Sequence, residues 1–194
     1  MYRKYLLVFF AVIIFYISFS ARQNSIKNIS LPLAANTALI YPEIKIGSGL
    51  PVRMKIPSLK IDTHIESAGL TKEGAVAVPK GPDNVVWFDL GPRPGEIGSS
   101  VINGHSGYKD NKPAVFDNLD KLRKGDKIYV EDEFGAATVF VVREFETYNS
   151  KANPAEVFSS NDGASHLNLV TCTGNWNEAE RTHSNRLVVF TDKE

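Results

Sequence analysis

Short β-like runs follow one another between residues 51 and 192, and their spacing constrains the fold more than any other feature of the chain. The runs are PVRMKIP, DTHIESAGL, AVAVP, VVWFDLG, SSVING, KIYVED, TVFVVREFETY, LNLVTC and RLVVFTD. Most of them are separated by Gly, Pro, Asn and Asp, a pattern typical of an all-β sandwich or barrel. The sequence therefore predicts a mostly β domain over residues 51–194.

Three segments between these runs carry other signals. AVFDNLDKL, residues 114–122, is predicted to be a helix because Val115, Leu119 and Leu122 fall on one face. NPAEVF, residues 153–158, predicts a single helical turn with proline at its start. EDEFG, residues 131–135, is acidic, but its position between two strand runs favours a hairpin turn over a calcium site. No metal and no cofactor is predicted.

The N-terminus contains a long uncharged apolar run. MYRK is followed by residues Tyr5 to Ala21 without a charge, about 17 residues, the lower limit for a helix that spans a bilayer. Residues 1–21 are therefore predicted to be a transmembrane anchor or signal segment, and the rest of the chain to be extracytoplasmic. The small residues Ser18 and Ser20 leave open a cleaved signal peptide. A buried core helix is disfavoured, because apolar residues surround the helix on all sides.

Residues 22–50 are polar and irregular, and we expect them to form an extracytoplasmic linker. The alternative that ALIYPEIKI packs on the domain stays open.

Charge and cysteine content exclude several classes of protein. The chain has 22 basic and 22 acidic residues, so it lacks the basic excess of a nucleic-acid-binding protein. Its single cysteine excludes an internal disulfide and a cysteine-rich zinc site. The domain must therefore be stabilised by its hydrophobic core.

That single cysteine, Cys172, ends the run LNLVTC. Strand alternation places Leu167, Leu169 and Thr171 on the core face, and Asn168, Val170 and Cys172 on the other. The following TGNWN indicates that the strand ends at a rim. An unpaired thiol is a liability in an exported protein unless it is used, so Cys172 is a candidate nucleophile.

A thiol nucleophile needs a proton carrier, and histidine is the usual one at neutral pH. His105 is the preferred candidate, because it follows a strand end in SSVINGHSG and has glycines nearby. His64 is most simply a surface residue of a strand. His166 lies six residues before Cys172 on the same strand, about 20 Å away. His183 lies after Cys172 and is a weak candidate.

Arg186 begins the run RLVVF and is a candidate oxyanion donor. If RLVVF pairs antiparallel with LNLVTC, a loop over residues 173–185 joins them, and Cys172 and Arg186 meet at the same rim. A guanidinium offers several donors in a fixed fork. No acidic residue is identifiable as a partner that orients His105, so the expected site is a Cys–His dyad plus arginine.

Together these segments resemble the sortase family of cell-surface transpeptidases over roughly residues 51–192. INGHSG is followed by PAVFDNLDKLRKGDKIYV, then by LVTC and RLVV, in the family's chain order and behind a membrane segment. LVTC is similar to the family's Leu-any-Thr-Cys signature, and Asn168 stands at the first position of the five-residue cysteine motif, where the family usually has threonine. VWFDLGPRPGEIGSSVINGH is similar to the class D, E and F types.

The resemblance implies a closed β-barrel of about eight strands and a known reaction. Cys172 would attack the backbone carbonyl of a sorting signal on a secreted protein, often Leu-Pro-any-Thr-Gly. His105 would protonate the leaving amine, Arg186 would hold the substrate and stabilise the oxyanion, and Thr171 is assigned to substrate binding. An amine from a cell-wall precursor or a pilin lysine, or water, would resolve the thioacyl intermediate.

Two alternatives remain at this stage. An L,D-type peptidoglycan transpeptidase also has a β domain with Cys and His, but its signature places His and Gly just before the cysteine, which LVTC lacks. A tethered β-module that binds a surface partner without catalysis would leave Cys172 incidental. A thiol-reactive probe would label Cys172 strongly only if it is a nucleophile.

Overall fold

The computed structural model describes residues 48–72, 74–107, 112–179 and 182–194. The predicted membrane segment at residues 1–21 and nearly all of the predicted linker lie outside these ranges. Within them, no helix has the length and apolar character needed to cross a membrane.

Eight strands close into a barrel, which confirms the predicted fold. They are β1 (Pro51–Ile56), β2 (Ile61–Ala68), β3 (Val85–Phe88), β4 (Gly98–Gly104), β5 (Lys127–Asp132), β6 (Ala137–Asn149), β7 (Ser165–Asn177) and β8 (Thr182–Lys193). Their order around the barrel is β1-β2-β3-β4-β7-β8-β6-β5. The pairs β2–β3 and β4–β7 are parallel, and the other pairs are antiparallel.

The barrel interior is filled by the inward-facing residues of each strand, as the alternation predicts. Leu167 and Leu169 of β7 are fully buried there. Phe116 and Leu119, from the connection between β4 and β5, belong to the same cluster. Burying a large apolar side chain contributes about 1.5–3 kcal/mol, so this core fixes the strands whose ends carry the candidate site residues.

Two predicted elements are absent. AVAVP is not a strand, because the chain turns back at Gly74 and only an isolated bridge between Leu70 and Val76 forms. Residues 114–122 do not form an α-helix, but turns followed by a 3₁₀-helix over Leu119–Lys121. The carboxylate of Asp117 accepts from the amides of Ala114 and Gly107, and this local bonding favours turns over a regular helix.

The hairpin of β7 and β8 is longer than predicted. Pairing continues past Cys172 to Asn177 opposite Thr182, so the expected loop at residues 173–185 is wrong. The ladder is irregular between Thr173 and Trp176. Gly174 lies at that irregularity with φ of 81°, a conformation that glycine adopts without strain.

Between β6 and β7 the chain crosses the outer face of the barrel. This crossing segment, residues 150–164, includes helix α1 (Ala155–Phe158), the helical turn that the sequence predicts. Val157 is buried against an outer apolar cluster that includes Val101, Val188 and Phe190. The crossing segment thus covers part of the outer surface of β4, β7 and β8.

Candidate active site

Two of the three residues proposed from the sequence lie opposite each other on neighbouring strands, and the third directly follows the end of the next strand. Cys172 of β7 is directly opposite Arg186 of β8. The parallel register of β4 and β7 pairs Asn103 with Val170, so two residues further on His105 is level with Cys172. Since neighbouring strands lie about 4.8 Å apart, the three Cα positions form one row across the sheet.

Cys172 and Arg186 face outward. Val170 and Val188 are opposite each other and belong to the outer cluster, so Cys172 and Arg186, two residues along each strand, point to the same side. Cys172 is half-buried there. The outward orientation expected for Cys172 is therefore what the structure shows, although β7 continues beyond it.

Thr171 points the other way, into the barrel. It is buried, and its Oγ1 donates a hydrogen bond of 2.8 Å to the carbonyl of Gly104. Gly104 is the last residue of β4 and directly precedes His105. The predicted substrate-binding role does not match this position, because the Thr171 hydroxyl joins the two strands that carry Cys172 and His105.

Phe116 also fixes the end of β4, a role that the sequence did not predict. Its ring packs directly on Gly104, where any side chain would collide with it. Its backbone amide donates 2.9 Å to the carbonyl of His105. The glycine before the histidine in INGHSG was the available signal, since a required glycine often marks a close approach.

The His105 ring is oriented by a backbone carbonyl. Its Nε2 lies 2.9 Å from the carbonyl oxygen of Pro79, a residue that is distant in sequence and buried. Because a carbonyl can only accept, Nε2 carries the proton in this contact. The Pro79 carbonyl therefore orients the His105 ring, for which the sequence offered no acidic partner.

The Arg186 guanidinium is bonded along its own hairpin. Nη1 donates to the carbonyls of His183 and Asn185, both at 3.0 Å, and Nη2 donates to Thr182 Oγ1 at 2.9 Å. These bonds use three of the five N–H groups of a guanidinium. The guanidinium of Arg186 is thus held in place by bonds to the long β7–β8 hairpin.

The remaining histidines lie elsewhere. His64 is exposed on β2, opposite Arg53. His183 lies in the β7–β8 hairpin, where its ring packs edge-on against Trp176 with centroids 5.3 Å apart. His166 is buried at the opposite end of β7 from the row.

His166 is held between two carboxylates. Nδ1 lies 2.8 Å from Asp192 and Nε2 lies 2.9 Å from Asp162, so both ring nitrogens act as donors and the ring is an imidazolium. Burial alone lowers the pKa of His166, but the bonds to Asp162 and Asp192 outweigh burial and raise it above 6.5. Bonds from Ser160, the Ala164 amide and His166 lower the pKa of Asp162. This charged contact ties the crossing segment to β7 and β8.

The closed eight-stranded barrel, with Cys172 half-buried on its outer face, is the fold that the resemblance to cysteine transpeptidases implies. The family model described as a sortase domain matches residues 54–194. The chain therefore belongs to the sortase family, whose members are cysteine transpeptidases. This match gives no support to the alternative of an L,D-type transpeptidase.

Solved structures show the same fold. Sortase C-1 from Actinomyces oris superposes with a TM-score of 0.59 at 24% identity, covering 74% of each chain. The Clostridium perfringens sortase D5 transpeptidase gives 0.55 at 21% identity, covering 76% of this chain and 79% of that one. Sortase A from Corynebacterium diphtheriae gives 0.56 at 20%, covering 76% and 61%. No curated protein matches the chain. Neighbours from three sortase types leave the class D, E or F assignment a prediction.

Proposed function

We propose that this chain is a membrane-anchored extracytoplasmic transpeptidase that cleaves a sorting signal similar to Leu-Pro-any-Thr-Gly on secreted proteins. The observation that carries the proposal is the row in which Cys172 and Arg186 pair on adjacent strands and His105 follows the end of β4. The anchor and the extracytoplasmic location are supported by the uncharged run from Tyr5 to Ala21 alone.

In the first half of the reaction, the Cys172 thiolate attacks the carbonyl carbon of the signal's threonine. Arg186 donates hydrogen bonds to the oxyanion of the tetrahedral intermediate. As the C–N bond breaks, His105 gives its proton to the departing amine and a thioester remains on Cys172. The strand register supports this sequence of steps, because it places the three residues at successive positions across the sheet.

In the second half, an amine attacks the thioester and forms an amide bond, and the thiolate leaves. His105 accepts the proton of the attacking amine. The acceptor in the proposal is an amine of a cell-wall precursor or a pilin lysine, and water gives hydrolysis instead. Both halves pass through a tetrahedral intermediate, and Arg186 stabilises its oxyanion in each.

Thr171 acts in this scheme as a positioning residue. Its hydroxyl bond to Gly104 sets the spacing between the end of β4, which carries His105, and the part of β7 that carries Cys172. Val170, which is half-buried and lies two residues before Cys172 on the same face, offers an apolar contact for the signal next to the thiol.

In the test, a protein of residues 48–194 is incubated with a library of pentapeptides, with and without diglycine as the amine acceptor. The products are identified by mass spectrometry. The expected result is cleavage after threonine and, with diglycine present, a ligated product. Cys172→Ala is the matched control and should give neither product. Absence of cleavage for every peptide, together with weak labelling of Cys172 by a thiol probe, would favour the non-catalytic β-module.

A further inference from the structure

Helix α1 is too short to hold its position unaided. It is a single turn of four residues, and its N-cap, Pro154, makes no side-chain capping bond. A helix of this length is unstable in isolation, so its place on the outer face is set by tertiary contacts. Those contacts include the buried side chain of Val157, the 3.0 Å bond that the Tyr148 hydroxyl of β6 donates to Glu156, and the bonds that β7 makes to the crossing segment.

The central bond comes from Asn168, at the first position of the cysteine signature. Asn168 is 1% exposed, and its Nδ2 donates 2.7 Å to the carbonyl of Val157. Carbonyls at the end of a helix lack partners within the helix, and this one is satisfied by a side chain from the barrel. The bond therefore fixes the end of α1 relative to β7.

The orientation of the amide follows from its partner. Since the Val157 carbonyl can only accept, the atom that faces it is Nδ2, and Oδ1 then has no partner among the described residues. An unpaired buried acceptor costs free energy. An apolar residue at position 168 would avoid that cost but would leave the Val157 carbonyl without its donor. The Asn168 amide therefore holds α1 in place at some cost in stability.

A second bond anchors the far end of the crossing segment. His166, two residues before Asn168 on the same face, contacts Asp162 at 2.9 Å. Outward-facing residues at alternate positions of β7 thus hold the crossing segment at two points. Val170 and Cys172 continue the same alternation toward the row.

α1 borders the surface on which a substrate would lie. Phe158 packs edge-on against Phe88 with ring centroids 5.9 Å apart, and both belong to the outer cluster with Val170. Asn168 is four residues from Cys172, about 13 Å along the strand, and an extended peptide advances about 3.3 Å per residue. A peptide held at Cys172 along β7 therefore meets α1 within about four residues of the bond that is cut.

We propose that Asn168 is a positioning residue that sets α1 against the outer cluster and thereby determines the affinity for the peptide substrate. The inference rests on the proposed function, since it concerns how the same site binds its peptide. His166 supports the same segment from its other end. Neither residue reaches the reacting atoms, so the effect falls on KM and not on kcat.

The test measures kcat and KM for the best peptide of the library with wild type, Asn168→Asp and Asn168→Leu, and records amide hydrogen exchange of residues 150–164. Asn168→Asp is nearly isosteric but loses the donor. Each variant is expected to raise KM roughly tenfold with kcat within about twofold, and to speed exchange at residues 156–158. Val157→Ala, which removes the apolar anchor from the other side of the contact, should act in the same direction.

Thr191→Val is the matched control. Thr191 is buried, and its Oγ1 donates 2.8 Å to the carbonyl of Leu167, a comparable bond inside the barrel. It should lower stability and leave KM unchanged. Unchanged KM in the Asn168 variants, or unchanged exchange, overturns the inference while the proposed function stands. A wild type that cleaves no peptide overturns the proposed function itself and, with it, the inference.

Discussion

Two histidines lie at opposite ends of the same sheet and differ in every respect that matters for chemistry. His105 follows the end of β4, is half-buried and has the Pro79 carbonyl on its ring. His166, near the start of β7, is buried and fixed as an imidazolium by Asp162 and Asp192. A proton carrier must both gain and lose a proton during turnover, so burial between two carboxylates suits an anchor and not a general acid.

The comparison teaches that the functional end of the sheet is the less regular one. The His166 end is covered by the crossing segment and satisfied by internal ion pairs. At the other end, β4 stops at Gly104 while β7 and β8 continue as a hairpin, and Cys172 lies where the neighbouring strand ends.

The largest expected effect is that of Cys172→Ala, which tests whether the row carries the chemistry. Turnover of the peptide should fall at least about a thousandfold, since the covalent step is lost. The thermal midpoint should change little, because Cys172 is half-buried and the substitution removes only the sulfur. Residual activity above about a thousandth of wild type would rule out covalent catalysis by this residue.

The second-largest expected effect is that of His105→Ala, which tests whether His105 or His183 is the proton donor. His105→Ala should lower kcat by about 100- to 10,000-fold, the usual contribution of a positioned proton donor. His183→Ala is the control, because its ring packs on Trp176 in the hairpin. Measurements of kcat for both variants test this assignment. A greater loss from His183→Ala would identify His183 of the hairpin as the general acid.

Arg186→Lys should lose on the order of 100-fold in turnover, comparable to the loss of one oxyanion donor. Lysine keeps the charge but not the planar fork that donates hydrogen bonds to Thr182 and to the His183 carbonyl. The measurement is kcat and peptide KM for Arg186→Lys and Arg186→Ala, with the pH-dependent alkylation rate of the thiol. Near-normal turnover with an unchanged thiol titration would reduce Arg186 to a general positive charge.

The smallest effect concerns the stability that His166 provides, and it depends on pH. Because the folded-state pKa of His166 is raised, its contribution is fully present below the unfolded value of about 6.5 and is lost as pH rises through the folded value. The lowered pKa of Asp162 gives the opposite limit, with stability lost only in strong acid.

The free energy of unfolding of wild type should therefore exceed that of His166→Gln most below about pH 6.5, and the difference should shrink as the pH rises above that value. Besides its carboxylate partners, His166 shares its surroundings with Arg143, Glu144 and Glu146 of β6 and Glu156 of α1. Denaturant titrations at several pH values measure the difference. His64→Gln, on the exposed face of β2, serves as the control and should show no such trend, and a pH-independent difference for His166→Gln would mean that the charge is unimportant.

Much of the candidate site could be predicted from the sequence. The period of two in LNLVTC placed Cys172 outward, and antiparallel pairing of two successive strands placed Arg186 opposite it. Both inferences use only local periodicity and chain order. The choice of His105 also came from local signals, its strand end and neighbouring glycines.

Tertiary structure decided what lies beside and above those residues. Thr171 and Gly104 are 67 residues apart, and only the parallel pairing of β4 with β7 brings them together and places His105 next to Cys172. The same holds for the Pro79 carbonyl on His105 and for α1 over Asn168. An alternating pattern specifies which side of a strand a residue faces, but the neighbouring strand and the segment that covers it depend on how the whole barrel closes.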